Sequence, residues 1–299
     1  MALIDPLDRL LRPLLDMGAD FSRPAGEPAM VPADSVSWRV FRNPLTMFVG
    51  GIAAVLLELG EPRVRHGVWD HSSFKRDPAG RLRRTGMAAM VTVYGARSEF
   101  EALAARVNAM HARIRGATPT GQAYAADDPE LLLWVQATAS WAFLEAWSRH
   151  VRPVSLADRD RYFVEAGASA ALYGVSDPPA SDAAMRALFA GMAPRLEPSP
   201  ILDELLDILA HHAILPLPLR PLQRLGVRAA VDLLPPPLRR RIGLDRRAGL
   251  NPAERLVLRG LARAAEHVEL PSSAHAQARR RLGLPERAGL SYRGAAQPA

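Results

Sequence analysis

The sequence predicts a single all-α domain with a basic, partly irregular C-terminal extension, on three observations. Apolar residues recur at three- and four-residue spacing along most of the 299 residues, which is the period of a helix face. Capping residues and prolines punctuate these stretches at both ends. Only Ala88 to Tyr94 has a β-rich composition, too little for a sheet.

Met1 to Met17 sets Asp5, Asp8, Arg9 and Arg12 among Leu and Pro, the pattern of neither a signal peptide nor a transit peptide. Leu45 to Leu57 is the most apolar stretch, yet it holds Gly50 and Gly51 and meets Glu58 well short of the roughly 18–20 residues that a spanning helix needs. It predicts a buried core helix. From Ser98 to Arg115, Phe100, Leu103, Ala104, Val107, Met110 and Ile114 form one stripe, with Ser98 and Glu101 as a capping box. Asp128-Pro129 opens a deep core helix through Trp134, Phe143 and Trp147. Further helices start at Ser155, Ser181 and Pro200, the last ended by Pro216, Pro218 and Pro221. Pro235 to Pro237 precedes a short Arg-rich helix, and Asn251-Pro252 caps one reaching His267; after Pro271 the chain reads as weakly ordered. The resulting divisions are an N-terminal arm over 1–37, a helical domain over 38–250, and a C-terminal helix with an Arg-rich tail over 251–299.

The absence of cysteine excludes disulfides, Cys-ligated zinc, iron–sulfur clusters and a thiol nucleophile. Residues 220–299 carry sixteen arginines against six acids, a surplus of ten that leaves the rest slightly acidic against a net charge of +7. Such asymmetry suits an anionic partner. Lys75 is the only lysine, however, so the Arg bias reads first as coding composition. Aromatic interleaving and RNA-binding motifs are missing, and no nucleic acid is expected. The expected location is cytoplasmic, with room for peripheral contact of the basic C-terminus with an anionic membrane.

GxGxxG, Walker, HExxH and GxSxG patterns are all missing. What remains is polar residues on apolar elements. His111 falls four residues after Val107 and three before Ile114, on the expected buried stripe. A buried imidazole must be hydrogen-bonded or bound to something: a neighbouring group, or haem iron. Arg81, Arg84 and Thr85 share one helical face after the Asp77-Pro78 turn, either an exposed basic turn or a place for an anion such as a haem propionate. His66, Asp70 and His71 offer ligand atoms without a recognisable metal spacing, and His211-His212 reads as a helix C-terminal contact.

The ordered string Trp38-Arg39, Gly50-Gly51, Pro62-x-Val64-x-x-Gly67-Val68-x-x-His71-Ser72-x-Phe74, Asp77-Pro78-x-Gly80-Arg81-Leu82-x-Arg84-Thr85, His111-x-Arg113-Ile114-x-Gly116, Tyr124-x-x-x-Asp128-Pro129, Leu133-Trp134-Val135 and Asp160-Arg161-Tyr162 resembles the mpaB-like oxygenase family, relatives of the latex-clearing proteins. Leu234-Pro235-Pro236 and Ile242-Gly243-Leu244 resemble its closing segment. The resemblance implies a globin-like bundle that binds haem b and uses O2 on an apolar small-molecule substrate. It makes His111 the iron ligand and Arg81, Arg84 and Thr85 the catalytic distal cluster, Arg84 standing where relatives have Lys. Arg81, Gln136, Glu61 and His71 join His111 as expected cofactor-binding residues. Two departures matter: Glu61 and Gln136 stand where relatives carry His. The alternative is a haem-free, non-catalytic member that binds a lipid-like ligand or a partner.

Overall fold

The computed structural model describes residues 18–285 together with Asp8. Among the described residues it contains thirteen α-helices and one two-stranded hairpin, and it is 64% helical, so the all-α class holds. The helices are α1 (Val36–Val40), α2 (Pro44–Glu58), α3 (Pro62–Trp69), α4 (Pro78–Tyr94), α5 (Arg97–His111), α6 (Pro129–His150), α7 (Leu156–Leu172), α8 (Asp182–Met192), α9 (Pro200–His211), α10 (Arg220–Leu233), α11 (Pro236–Arg241), α12 (Pro252–Glu266) and α13 (Ala274–Arg281). Strands β1 (Arg115–Ala117) and β2 (Ala123–Ala125) pair antiparallel between α5 and α6.

One local device starts many of these helices: a side chain that accepts from first-turn amides, followed by proline. Asn43-Pro44, Glu61-Pro62, Asp77-Pro78, Asp128-Pro129, Ser199-Pro200 and Asn251-Pro252 all use it. The cap satisfies an amide that the helix cannot, and proline removes one that would otherwise go unpaired.

The core is built on α2 packed antiparallel against α6. Trp134 Nε1 donates to the Leu57 carbonyl at 3.3 Å. Gly50 fixes the closeness of the pair, because a Cβ there would lie 2.9 Å from the Ala142 carbonyl oxygen. Gly226 of α10 similarly leaves room for the Phe48 ring. Ile52, Leu56, Leu57, Trp134, Leu144 and Trp147 are almost fully buried, each contributing roughly 1.5–3 kcal/mol of apolar transfer. The apolar stretch before Glu58 is thus a core helix, and among the described residues no single helix is long and apolar enough to cross a membrane.

Several sequence expectations are corrected. Ala88 to Tyr94 is the second half of α4: a helix started at the Asp77 cap propagates through the β-branched residues, each costing only a few tenths of a kcal/mol. Ser98 does not cap α5. Its amide and hydroxyl donate to Glu27, and the N-cap position is Ala96. The prolines before Gln223 end α9, but Pro221 also stands at the start of α10, a helix the sequence reading leaves out. Beyond Pro271 the chain is ordered through α13, with His275 and Arg281 buried. The Arg281 guanidinium donates to the carbonyls of Phe21, Glu27 and Tyr94, pinning α13 to the N-terminal arm. Residues 1–7, 9–17 and 286–299, with the readings made for them, lie outside the described residues.

Candidate active site

A half-buried strip runs along the α2–α6 pair. On α2 it comprises Phe48, Gly51, Val55 and Glu58; on α6, Leu132, Val135, Gln136, Ala139 and Phe143. These positions recur at three and four, so each set lines one side of its helix. Gly51 and Phe143 put the two sides next to each other, since a Cβ on Gly51 would touch the Phe143 ring at 3.7 Å. Everything in the strip is apolar except Glu58 and Gln136.

Glu58 is the residue that sequence reasoning missed. Burial pushes its carboxyl from 4.5 up to about 7, against an opposing pull from the Arg81 guanidinium. Arg81, on α4, is itself pushed below its ordinary value by burial, with Glu58 opposing and Arg84 adding repulsion. His111 closes the group from the end of α5. Burial lowers its pKa, Asp127 pulls the other way and Arg81 lowers it further. Three helices thus bring an acid, a permanent cation and a base within electrostatic reach. Clusters in which burial and charge move several pKa values together are typical of functional sites.

The geometry corrects one premise about His111. The buried stripe of α5 ends early: Phe100, Leu103 and Ala104 are buried, Val107 is half-buried and Met110 is 52% exposed. His111 is the last helical residue and is half-buried. No hydrogen bond to its ring is present among the described residues, so burial leaves a neutral imidazole with a free lone pair.

The expected Arg81, Arg84 and Thr85 trio divides. Thr85 donates to the Arg81 carbonyl at 2.9 Å and accepts from Arg81 Nη1, holding that guanidinium from one turn away. Arg84 turns outward to Ser73 Oγ at 2.6 Å and to Asp77 at 3.4 Å, with its side chain exposed.

Glu61 is 2% exposed, and both its oxygens are committed. One accepts from the Val64 amide at 2.8 Å, capping α3, and the other from Arg63 Nε at 2.7 Å. Arg63 continues to Glu130 at the start of α6. Gln136 donates to Ser140 Oγ at 3.0 Å, while its buried Oε1 has no partner among the described residues.

His71 is exposed, and its Nε2 lies 3.0 Å from the Tyr124 hydroxyl. The Tyr124 ring rests over Gly116, where a Cβ would come within 2.6 Å of Cζ, and beside Gly67 at 3.8 Å. His71, Gly67, Gly116 and Tyr124 therefore fasten the hairpin that follows His111 against α3. His66 pairs with Asp70, and among the described residues no three His, Asp or Glu side chains are placed to hold a metal ion. His211 ends α9 with Nδ1 at 2.9 Å from the Asp207 carbonyl oxygen, as read for a helix terminus.

Comparison with known proteins gives one match. The sequence model described as ER-bound oxygenase mpaB/B'/Rubber oxygenase, catalytic domain, covers residues 38–267. It therefore takes in all of α12, past the division expected at 250. No curated protein and no solved structure matches the chain.

Proposed function

The chain belongs to the mpaB/rubber oxygenase catalytic-domain family, and from that premise we propose that it is a haem b-dependent oxygenase acting on an apolar substrate. The observation that carries the reading is the convergence of Glu58, Arg81 and His111 at the end of an apolar strip. The residues present fit the cofactor on three counts. His111 offers a neutral imidazole with no hydrogen bond among the described residues, which would hold the haem iron. Arg81 supplies a fixed cation for a carboxylate of the macrocycle. The buried Gln136 Oε1, which has no partner among the described residues, can accept a hydrogen bond from a bound group.

Haem b, when bound, supplies the iron at which dioxygen is activated. The chain supplies the rest. Leu132, Val135, Ala139 and Phe143 give an apolar wall that binds an apolar molecule and keeps water away. Glu58, titrating near neutrality, holds or releases a proton at its carboxyl oxygen, and Arg81 steadies its charged form. Thr85 fixes the Arg81 guanidinium. Gln136 offers a hydrogen bond but no titrating group.

Reconstitution with haem tests the reading. Stoichiometric binding with a Soret band, abolished by His111→Ala while the far-UV helical signal survives, is the expected result. Unchanged haem occupancy in that variant removes the assignment. A second reading, a haem-free member binding a lipid-like ligand, is favoured by Glu61, whose carboxylate is consumed by capping and Arg63 where relatives carry His. Failure of the wild-type chain to take up haem, together with retention of a fatty-acyl probe, is its signature.

A further inference from the structure

Helix α12 is apolar on two sides. Leu258 and Ala262 are buried, and the Ala262 carbonyl accepts from Asn43 at the start of α2. The opposite side is uncovered: Leu256, Val257 and Leu261 are 74%, 54% and 44% exposed, and Val268, just past the helix, is 40% exposed. At about 100° per residue these positions, with Gly260 and Ala264 between them, make one continuous outward strip. Single exposed apolar residues are unremarkable, but a contiguous strip marks an interaction site.

Charge along the same helix names the partner. Arg255, Arg259 and Arg263 are exposed, but Arg255 is paired with Asp232 and Arg263 donates to the Val151 carbonyl, so that Arg259 is the cation of the three without a hydrogen bond or ion pair among the described residues. Its two carboxylates are turned to other duties: Glu254 caps the helix and pairs with Arg228, and Glu266 pairs with Arg42. The outward surface is thus apolar with a cationic flank and without an exposed carboxylate, the amphipathic pattern that lies in the headgroup region of anionic bilayers. A second copy fits poorly, because an antiparallel two-fold pair sets the Arg flank of one helix against the Arg flank of the other.

We propose that α12 docks the protein on an anionic membrane surface, its Leu256–Val257–Leu261 strip at the headgroup–acyl boundary and Arg259 toward lipid phosphates. The docking face joins the Asn43 end of α2, whereas Glu58 stands at the other end of that 15-residue helix, roughly 20 Å away at 1.5 Å per residue. Variants on the strip therefore leave the Glu58–Arg81–His111 cluster intact.

The test uses the full chain with vesicles of phosphatidylcholine alone or containing about one-third phosphatidylserine. Wild type should sediment with the anionic vesicles, weakening with salt. Leu256→Glu with Leu261→Glu should cut that binding by about tenfold or more, and Arg259→Glu should weaken it, with the helical signal unchanged. Because the chain has no cysteine, Val257→Cys carries a polarity-sensitive dye at one site, which should shift to the blue on the anionic vesicles. Absence of vesicle binding, or binding unaffected by the Leu256 and Leu261 changes, overturns the proposal. So does a dye shift that needs no lipid and grows with protein concentration, which assigns the strip to a second copy.

Discussion

Replacing Glu58 with Gln should make the protein more stable at neutral and alkaline pH while removing its proton-handling group. The folded carboxyl titrates at about 7 instead of 4.5 because burial penalises the charged form more than Arg81 favours it. A group whose pKa is raised on folding contributes stability that is fully present below its unfolded value and lost as pH rises through its folded value. The window is therefore 4.5 to about 7. The gap corresponds to about 3 kcal/mol, and partial solvent access to the side chain reduces this to about 1–2 kcal/mol. Gln has the shape of the neutral acid and escapes the cost. Urea unfolding followed by circular dichroism, at about pH 8 and about pH 4.5, measures the difference as a change in midpoint at constant slope. Glu58→Gln should exceed wild type by about 1–2 kcal/mol at the higher pH and match it at the lower one. Oxygen consumption by the haem-loaded variant should fall, the usual exchange between stability and function at a strained site. A variant equal to or weaker than wild type at about pH 8 would falsify the desolvated carboxyl on which the candidate site rests.

His150 should show the opposite pH limb. It is 3% exposed, neither ring nitrogen has a hydrogen-bond partner among the described residues, and burial, with Arg149 and Arg259, lowers its pKa from 6.5 to about 4. Its contribution is intact above 6.5 and lost as pH falls toward about 4, up to about 3 kcal/mol; His150→Leu should flatten acid unfolding, and an unchanged acid limb shows that other groups cause it. Arg81→Ala should weaken haem binding and raise the apparent pKa of Glu58, since the guanidinium that favours the charged carboxylate is gone, whereas Arg84→Ala, held outward by Ser73 and Asp77, should change haem affinity and activity by under about twofold. Equal losses in the two variants mean that Arg84 reaches the site after all. Tyr124→Phe removes the hydroxyl that meets His71 and loosens the hairpin behind His111. It should broaden or shift the haem spectrum with a stability loss of about 1 kcal/mol, and a spectrum identical to wild type would leave the clamp a purely structural contact.

The sequence by itself determined where most helices begin, because capping acts over three or four residues. Asp128-Pro129 and Asn251-Pro252 are legible without knowing anything about the rest of the chain. It also determined the core character of α2, whose apolar run tolerates no other environment than burial or lipid, and the spacing that put Arg81 and Thr85 one turn apart. Only the tertiary structure decided which polar residues lose water. Glu58 reads in sequence as the polar end of an apolar helix; its burial comes from the packing of α2 against α6 and the approach of Arg81, both non-local. Arg84 has the same local credentials as Arg81 but is drawn outward by Ser73, eleven residues away. The β-branched run in α4 and the Ser98 cap failed for the same reason. Local preferences amount to tenths of a kcal/mol, while the helix already under way and the Glu27 carboxylate across the fold supply more.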